Sequence, residues 1–198
     1  MQPPDSPQGK GVLRHEFRSR RQAQSNAARA GMDERIRGHL ASAIARGSVH
    51  EVAAFLAFDA EPDLLPLLRQ WHEQGVRLAL PVVPRDGGRL LSLHAWQPDE
   101  QLAENSFGIR EPHAGPARDV SKLDLLLIPL VSFDAHGTRL GMGAGYYDRL
   151  LAPVRASERP LRVGVAYACQ RAERLPREPW DVPLHAVVTE DGWFSCPA

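Results

Sequence analysis

The stretch GTRLGMGAGYYDR, residues 137–149, sets glycines at 141, 143 and 145 behind Arg139 and ahead of Tyr146, Tyr147 and Asp148. Glycines at alternate positions let backbone N–H groups turn into a cavity and let an anion approach with no Cβ in the way. Arg139 adds a planar guanidinium that can hold two phosphate oxygens. A helix starting near Gly145 would add the positive end of its dipole, and Asp148 would fall in its favoured acidic first turn. The chemistry within reach is the binding of a phosphorylated ligand.

The spacing is not that of a Walker A loop, because no Lys-Ser/Thr pair follows, nor that of a dinucleotide fingerprint, whose last glycine would fall two residues later. Taken alone, the glycines fit a tight strand-to-helix turn equally well. The elements around them must decide.

Leu123–Pro129 (LDLLLIP), just before the loop, is a continuous apolar run that reads as a strand buried on both faces. Val49–Phe58, Val76–Val83, Leu161–Ala166 and His185–Thr189 read as further strands, the last being the final one. Arg89–Trp96 pairs back on Val76–Val83 as a hairpin across Asp86-Gly87-Gly88. Helical spacing runs through Val12, Leu13 and Phe17 and through Ile36, Leu40, Ala43 and Ile44. Residues 11–47 therefore read as two helices, interrupted at Ser25-Asn26 and Ala30-Gly31, with Asp33 capping the second and Gly47 ending it. Pro62 opens a helix from Leu64 to Gln74, and another runs from Gly145 to Val154. Residues 97–122 read as a long polar loop with one possible helical turn over 99–103, and a long irregular segment in a compact domain points to function. Strands alternating with helices give the α/β class: a three-layer α/β/α, Rossmann-like, mostly parallel sheet with helices on both faces. In such sheets ligands sit beyond the carboxyl ends of the strands, where the glycine loop lies.

With 24 basic and 24 acidic residues among 198, the overall charge gives no reason to expect a nucleic-acid or membrane partner. Cys169 and Cys196 lack metal-ligand spacing, no window suits a membrane span, and MQPPDSPQGKG has no signal-peptide core. The expectation is a cytoplasmic monomer: a polar tail over residues 1–9, then one domain over 10–198.

The segment Ile128–Arg149, IPLVSFDAHGTRLGMGAGYYDR, resembles the signature of the 5-formyltetrahydrofolate cyclo-ligase (5,10-methenyltetrahydrofolate synthetase) family, P-x-x-x-F-D-x-x-G-x-R-L-G-x-G-x-G-Y-Y-D. Every fixed position is present; Ala144 fills a variable one and brings no phosphate-binding side chain. The resemblance continues in order along the chain, through Lys10 and Arg14 (K-x-x-x-R), Phe55, Leu56 and Glu61, Leu80-Pro81, Ile109 and Glu111-Pro112, Asp181, and Val187-Val188-Thr189-Glu190.

The resemblance implies a ligase that uses ATP and Mg²⁺ to close 5-formyltetrahydrofolate into its 5,10-methenyl form. It implies that Lys10, Arg14, Arg139 and the amides of Gly141, Gly143, Gly145 and Tyr146 hold the triphosphate. Arg139 and Asp148 would be the catalytic pair, and Asp148 and Asp181 the Mg²⁺ carboxylates. Leu56, Glu61, Phe107 and Tyr147 would receive the folate, Glu61 by accepting pterin N–H donors. Phe107 stands where the family often has Trp, so it can stack but lacks the indole donor. Without the resemblance, Lys10 and Arg14 read as solvated charges on a helix that also carries Arg18, Arg20 and Arg21, and Leu56 reads equally as core. The scattered histidines 50, 94, 113 and 136 lack ligand spacing. A non-catalytic nucleotide- or RNA-binding relative of the same fold, or transfer of phosphate to another small acceptor, are the alternatives. A degenerate relative would be expected to lack Glu61, Arg139 or Asp148, and all three are here.

Overall fold

A computed structural model describes residues 7–45, 49–85, 87–113 and 115–197. The expected helical stop at Gly47 and residues 1–6 of the expected tail lie outside these; residues 7–9 form the first turn of α1. Two helices open the chain, α1 (Pro7–Gln22) and α2 (Asn26–Ala45), followed by β1 (Glu51–Ala53), α3 (Leu65–Glu73) and the hairpin of β2 (Arg77–Val82) with β3 (Ser92–Trp96). Next come β4 (Leu102–Glu104), β5 (Arg110–Pro112) and β6 (Ala117–Arg118). Then follow β7 (Leu125–Pro129), β8 (Ser132–Phe133), β9 (Arg139–Leu140) and α4 (Tyr146–Leu151). The chain finishes with β10 (Leu161–Val165), β11 (Ala186–Thr189) and β12 (Gly192–Ser195).

Among the described residues, the main sheet has the order β12-β11-β10-β7-β1-β2-β3-β6. Strands β11, β10, β7, β1 and β2 run parallel, β12 and β3 run against them at the two sides, and β6 pairs antiparallel with β3 at the edge. The near-continuous apolar runs of β7 and β11 are explained by burial of both faces. One face packs Met32, Ile36 and Leu40 of α2 and Leu67, Leu68 and Trp71 of α3 against Val52, Leu78, Leu125 and Val163. The opposite face packs Leu150 and Leu151 of α4 against Ala53, Ala79, Leu126 and Val187. The fold is thus the expected three-layer α/β/α arrangement.

The chain steps from β1 to β2 in one direction, then returns to the other side of β1 to lay down β7, β10 and β11. That reversal is a topological switch point, and the crevice outside the carboxyl ends of β1 and β7 is where such sheets take ligands. Helix α1 lies over this end of the sheet, against β8 and the short turn at Ala168–Gln170.

Several local expectations are corrected. Asp33 lies in the middle of α2 and accepts a hydrogen bond from the buried Tyr167 hydroxyl at 2.7 Å. Ser25 caps that helix, its hydroxyl accepting from the Ala28 N–H at 3.2 Å, and Ala30-Gly31 do not interrupt it. The β1 strand is only three residues long, and the chain leaves the sheet after Ala54, whose N–H still donates to the Ala79 carbonyl at 3.0 Å. Residues 97–122 are not a plain loop: β4 and β5 pair as a hairpin and β6 extends the main sheet. Thr189 does not end the sheet, since β12 folds back on β11 across the two-residue turn Glu190-Asp191. The helix expected over 145–154 is one α-helical segment, Tyr146–Leu151, followed by a 3-10 turn at Ala152–Val154. No helix among the described residues is long and apolar enough to cross a membrane.

Candidate active site

Two cations of α1, Lys10 and Arg14, reach the loops at the switch point. Lys10 lies 3.4 Å from both Asp181 and Glu178. Arg14 donates from Nε to the Gly141 carbonyl at 2.8 Å, so its guanidinium lies across the glycine loop. Gly143 has φ +106°, and a Cβ there would stand 3.3 Å from Arg14 Cζ. Glycine therefore satisfies both the backbone conformation and the close approach of the cation. The N–H groups of residues 142–144 donate to no protein acceptor among the described residues. Unused amides converging beside a guanidinium form an anion cradle.

Arg139 sits behind this loop. Its Nη2 donates to Asp148 Oδ1 at 2.5 Å and its Nη1 donates to the Val182 carbonyl. The Val182 N–H donates to the same Asp148 oxygen at 3.1 Å, which brings the 178–182 loop to the start of α4. Asp181, the preceding residue, accepts on Oδ2 from the Glu178 N–H at 2.8 Å and faces Lys10. Oδ2 of Asp148 and Oδ1 of Asp181 accept no hydrogen bond among the described residues. Free hard oxygens on two neighbouring acids suit Mg²⁺, which takes one or two carboxylates and completes its shell with phosphate and water. No group of three or more His, Cys, Asp and Glu gathers as a closed protein cage among the described residues.

Glu61 lies on the loop that follows β1. Asp59 and Ala60 hold positive φ, 50° and 61°, and this tight turn aims Glu61 back toward the sheet. Its Oε2 accepts from the Phe58 N–H at 3.2 Å, and its Oε1 is 3.8 Å from Arg21 Nη1. Burial pushes the Glu61 carboxyl up to about 7, with Arg21 and the Phe58 N–H pulling it down and Asp59 pushing it further up. Arg21 is 0% exposed; it also donates to Asp59 at 2.8 Å and to the Leu130 carbonyl at 3.2 Å. Asp59 further accepts from Arg18 at 2.9 Å and from Gln22. Tyr147 lies in the first turn of α4, within electrostatic range of both Glu61 and Arg139. Burial raises its phenol above the ordinary value, the Glu61 charge acts the same way, and Arg139 opposes both.

A cleft of about 770 Å³ opens beside the cradle, lined by Val83, Arg85, Arg89, Phe107, Gly143 and Tyr146 among others. That volume is within the range of small-molecule sites, roughly 300–1,000 Å³. Phe107 is 53% exposed, an unpartnered aromatic face over a cleft. Arg149 ties the cleft walls together, donating to the Arg89 carbonyl at 2.8 Å and to the Ala144 carbonyl.

The structure thus gathers Lys10, Arg14, Arg139, Asp148, Asp181 and the glycine loop with Tyr146 into one centre, with Phe107 across the adjoining cleft. Glu61 does not line that cleft. It borders a separate groove of about 280 Å³, and its charge acts on Tyr147. Leu56 is half-buried and packs against the core. Sequence reasoning missed Arg21, Asp59, Asn105 and Arg149. Arg21 carries a usable signal, lying one heptad after Arg14 and hence on the same helical face. Asp59 and Asn105 act through backbone turns that have no comparable periodic mark.

Residues 6–190 match the model of a family described as the 5-formyltetrahydrofolate cyclo-ligase family. The chain is 47% identical over 144 residues to 5-formyltetrahydrofolate cyclo-ligase of Escherichia coli strain K12, covering 71% of this chain and 78% of that one. It is 32% identical over 189 residues to the Mycolicibacterium smegmatis protein of the same name, covering 93% and 95%. The NMR structure of Aquifex aeolicus 5,10-methenyltetrahydrofolate synthetase superposes with a TM-score of 0.81 at 35% identity, over 96% of this chain and 93% of that one. The order of motifs, the switch-point centre and these likenesses agree, and the chain belongs to the 5-formyltetrahydrofolate cyclo-ligase family.

Proposed function

We propose that the protein converts 5-formyltetrahydrofolate to 5,10-methenyltetrahydrofolate using ATP and Mg²⁺, releasing ADP and phosphate. The observation that supports this most directly is the convergence of Lys10, Arg14, Arg139, Asp148 and Asp181 on a glycine loop that is also a wall of an aromatic-lined cleft. A phosphate donor and a flat acceptor can therefore share one wall.

The formyl group on N5 is a weak electrophile because the nitrogen lone pair feeds its carbonyl. In the proposed reaction the formyl oxygen attacks the γ-phosphorus, the bond to the β-phosphate oxygen breaks, and ADP leaves. N10 then attacks the activated carbon. The carbon–oxygen bond breaks, and phosphate departs with the N10 proton. The protein's work is alignment and stabilisation of spread negative charge.

The free amides of residues 142–144 and the guanidinium of Arg14 bind the triphosphate. Arg139 is oriented in advance by Asp148 and Val182. Each of its amino groups has a second N–H left for a phosphate oxygen. Mg²⁺ held by Asp148 and Asp181 would supply further positive charge at the β- and γ-oxygens. Phe107 stacks on the folate ring system, Tyr147 reaches it from the loop side, and ionised Glu61 accepts its N–H donors. The same reading has a monomer of one domain, whose first helix starts at Pro7, working in the cytoplasm.

The test is spectroscopic. Protein, MgATP and 5-formyltetrahydrofolate should give the near-ultraviolet absorbance of the methenyl product, and omission of ATP or Mg²⁺ should remove it. Folded protein that gives no absorbance rise with all components present overturns the proposal.

A further inference from the structure

Glu111 is a buried acid that none of the steps above uses. It lies on β5, is 1% exposed, and belongs to the hairpin that carries Phe107. One of its oxygens, Oε2, accepts two hydrogen bonds from two different segments. One comes from the N–H of Val83, the first residue beyond β2, at 3.0 Å. The other comes from the side-chain amide of Asn105 at 3.0 Å. Val83 and Asn105 both line the cleft.

Asn105 passes the restraint on. Its Oδ1 accepts from the N–H of Phe107 at 2.9 Å and of Ile109 at 3.1 Å, and its own N–H donates to the Ile109 carbonyl at 3.0 Å. The turn bearing Phe107 is thus closed around the Asn105 side chain, and that side chain is fixed by Glu111. The other carboxylate oxygen, Oε1, is buried with no partner. A half-satisfied buried carboxylate is a costly way to build a core, so such a group calls for an explanation beyond stability.

We propose that Glu111 is a positioning residue for the folate cleft: through Val83 and Asn105 it fixes the end of β2 against the β4–β5 hairpin and so sets where Phe107 stands. Its effect on kinetics rests on the function proposed above; its effect on the cleft does not.

The experiment compares Glu111→Ala, Glu111→Gln, Asn105→Ala, Phe107→Ala and the Phe107→Ala/Glu111→Ala double variant. Glu111→Ala should raise the KM for 5-formyltetrahydrofolate roughly tenfold, as expected for members of one hydrogen-bond network. The KM for ATP should change less than twofold. Glu111→Gln, which keeps an acceptor oxygen, should restore most of the loss. Phe107→Ala should cost far less in the Glu111→Ala background than alone. Hydrogen exchange should show the Phe107 and Ile109 amides speeding up in Glu111→Ala and Asn105→Ala and slowing again in Glu111→Gln.

If Glu111→Ala does not fold, Asn105→Ala decides, because it breaks the same chain one link later. Unchanged exchange at Phe107 and Ile109, or a Phe107→Ala cost that is equal in both backgrounds, overturns the proposal. If wild-type protein gives no methenyl product, the function reading fails while the exchange measurements still decide the role of Glu111.

Discussion

Arg139 and Asp148 stand nine residues apart, on opposite sides of the glycine loop, and their side chains meet at 2.5 Å. The ion pair closes the loop on itself and leaves one Asp148 oxygen free. Asp148→Ala should therefore remove the Mg²⁺ dependence together with turnover, lowering kcat by at least about 100-fold, the scale for losing a transition-state contact. Asp148→Asn keeps an acceptor for Arg139 and Val182 but loses the anionic oxygen, so it should fold normally and still fail in Mg²⁺ titrations. Activity in Asp148→Ala that still saturates with Mg²⁺ as in wild type would remove Asp148 from the metal site.

The contact between Arg14 and the glycine loop allows the proposed roles of the two substrates to be tested apart. Arg14→Ala should raise the KM for ATP about tenfold, the equivalent of roughly 1.4 kcal/mol. Gly143→Ala should act in the same direction, because its φ of +106° disfavours a side chain and the new Cβ would press on Arg14 Cζ. The KM for 5-formyltetrahydrofolate should stay within twofold of wild type in Arg14→Ala. Equal rises in both constants would mean that Arg14 supports the whole site rather than the triphosphate.

Glu61 gives a pH prediction with a definite sign. Its carboxyl titrates near 7 in the folded protein against 4.5 for an ordinary glutamate, so the folded state holds the proton more tightly. The stability linked to that proton is complete below about pH 4.5 and is lost as pH rises through about 7. Glu61→Gln should match wild type in thermal unfolding at pH 4 and exceed it above pH 7, by on the order of 3 kcal/mol. Substrate capture should run the other way in wild type, with kcat/KM for the folate rising as Glu61 ionises. Arg21→Gln should move that rise to higher pH, since Arg21 is the main group favouring the anion. A Tm difference between Glu61→Gln and wild type that is constant from pH 4 to 8 would contradict the assignment of this titration.

The parts legible in the sequence were those in which one physical requirement governed a whole run. Burial of both faces marked β7 and β11 as apolar runs, and backbone approach marked the loop at 141–145. The missed parts depend on single side chains. The β4–β5 hairpin has three residues per strand, too few for alternation to show, and Asn105 rather than a backbone motif closes its turn. Asp33 looked like a cap because Asp favours caps; the Tyr167 hydroxyl, 134 residues away in the chain, holds it inside a helix instead. The turn before β12 is Glu190-Asp191, which is not one of the Asn-Gly or Asp-Gly pairs that mark a tight hairpin. Arg21 was noted only as one of the arginines on the first helix, although it is the one that is fully buried.

Helix α1 carries Lys10, Arg14 and Arg21 at separations of four and seven residues, and all three are anchored to different loops. The two ligand sides are therefore kept in phase by one rigid rod. A single residue inserted between Arg14 and Phe17 would turn the first two cations by about 100° relative to Arg21. Drift in the length of this helix is consequently restricted far more tightly than its many exposed positions suggest, while substitutions on its outer face remain open.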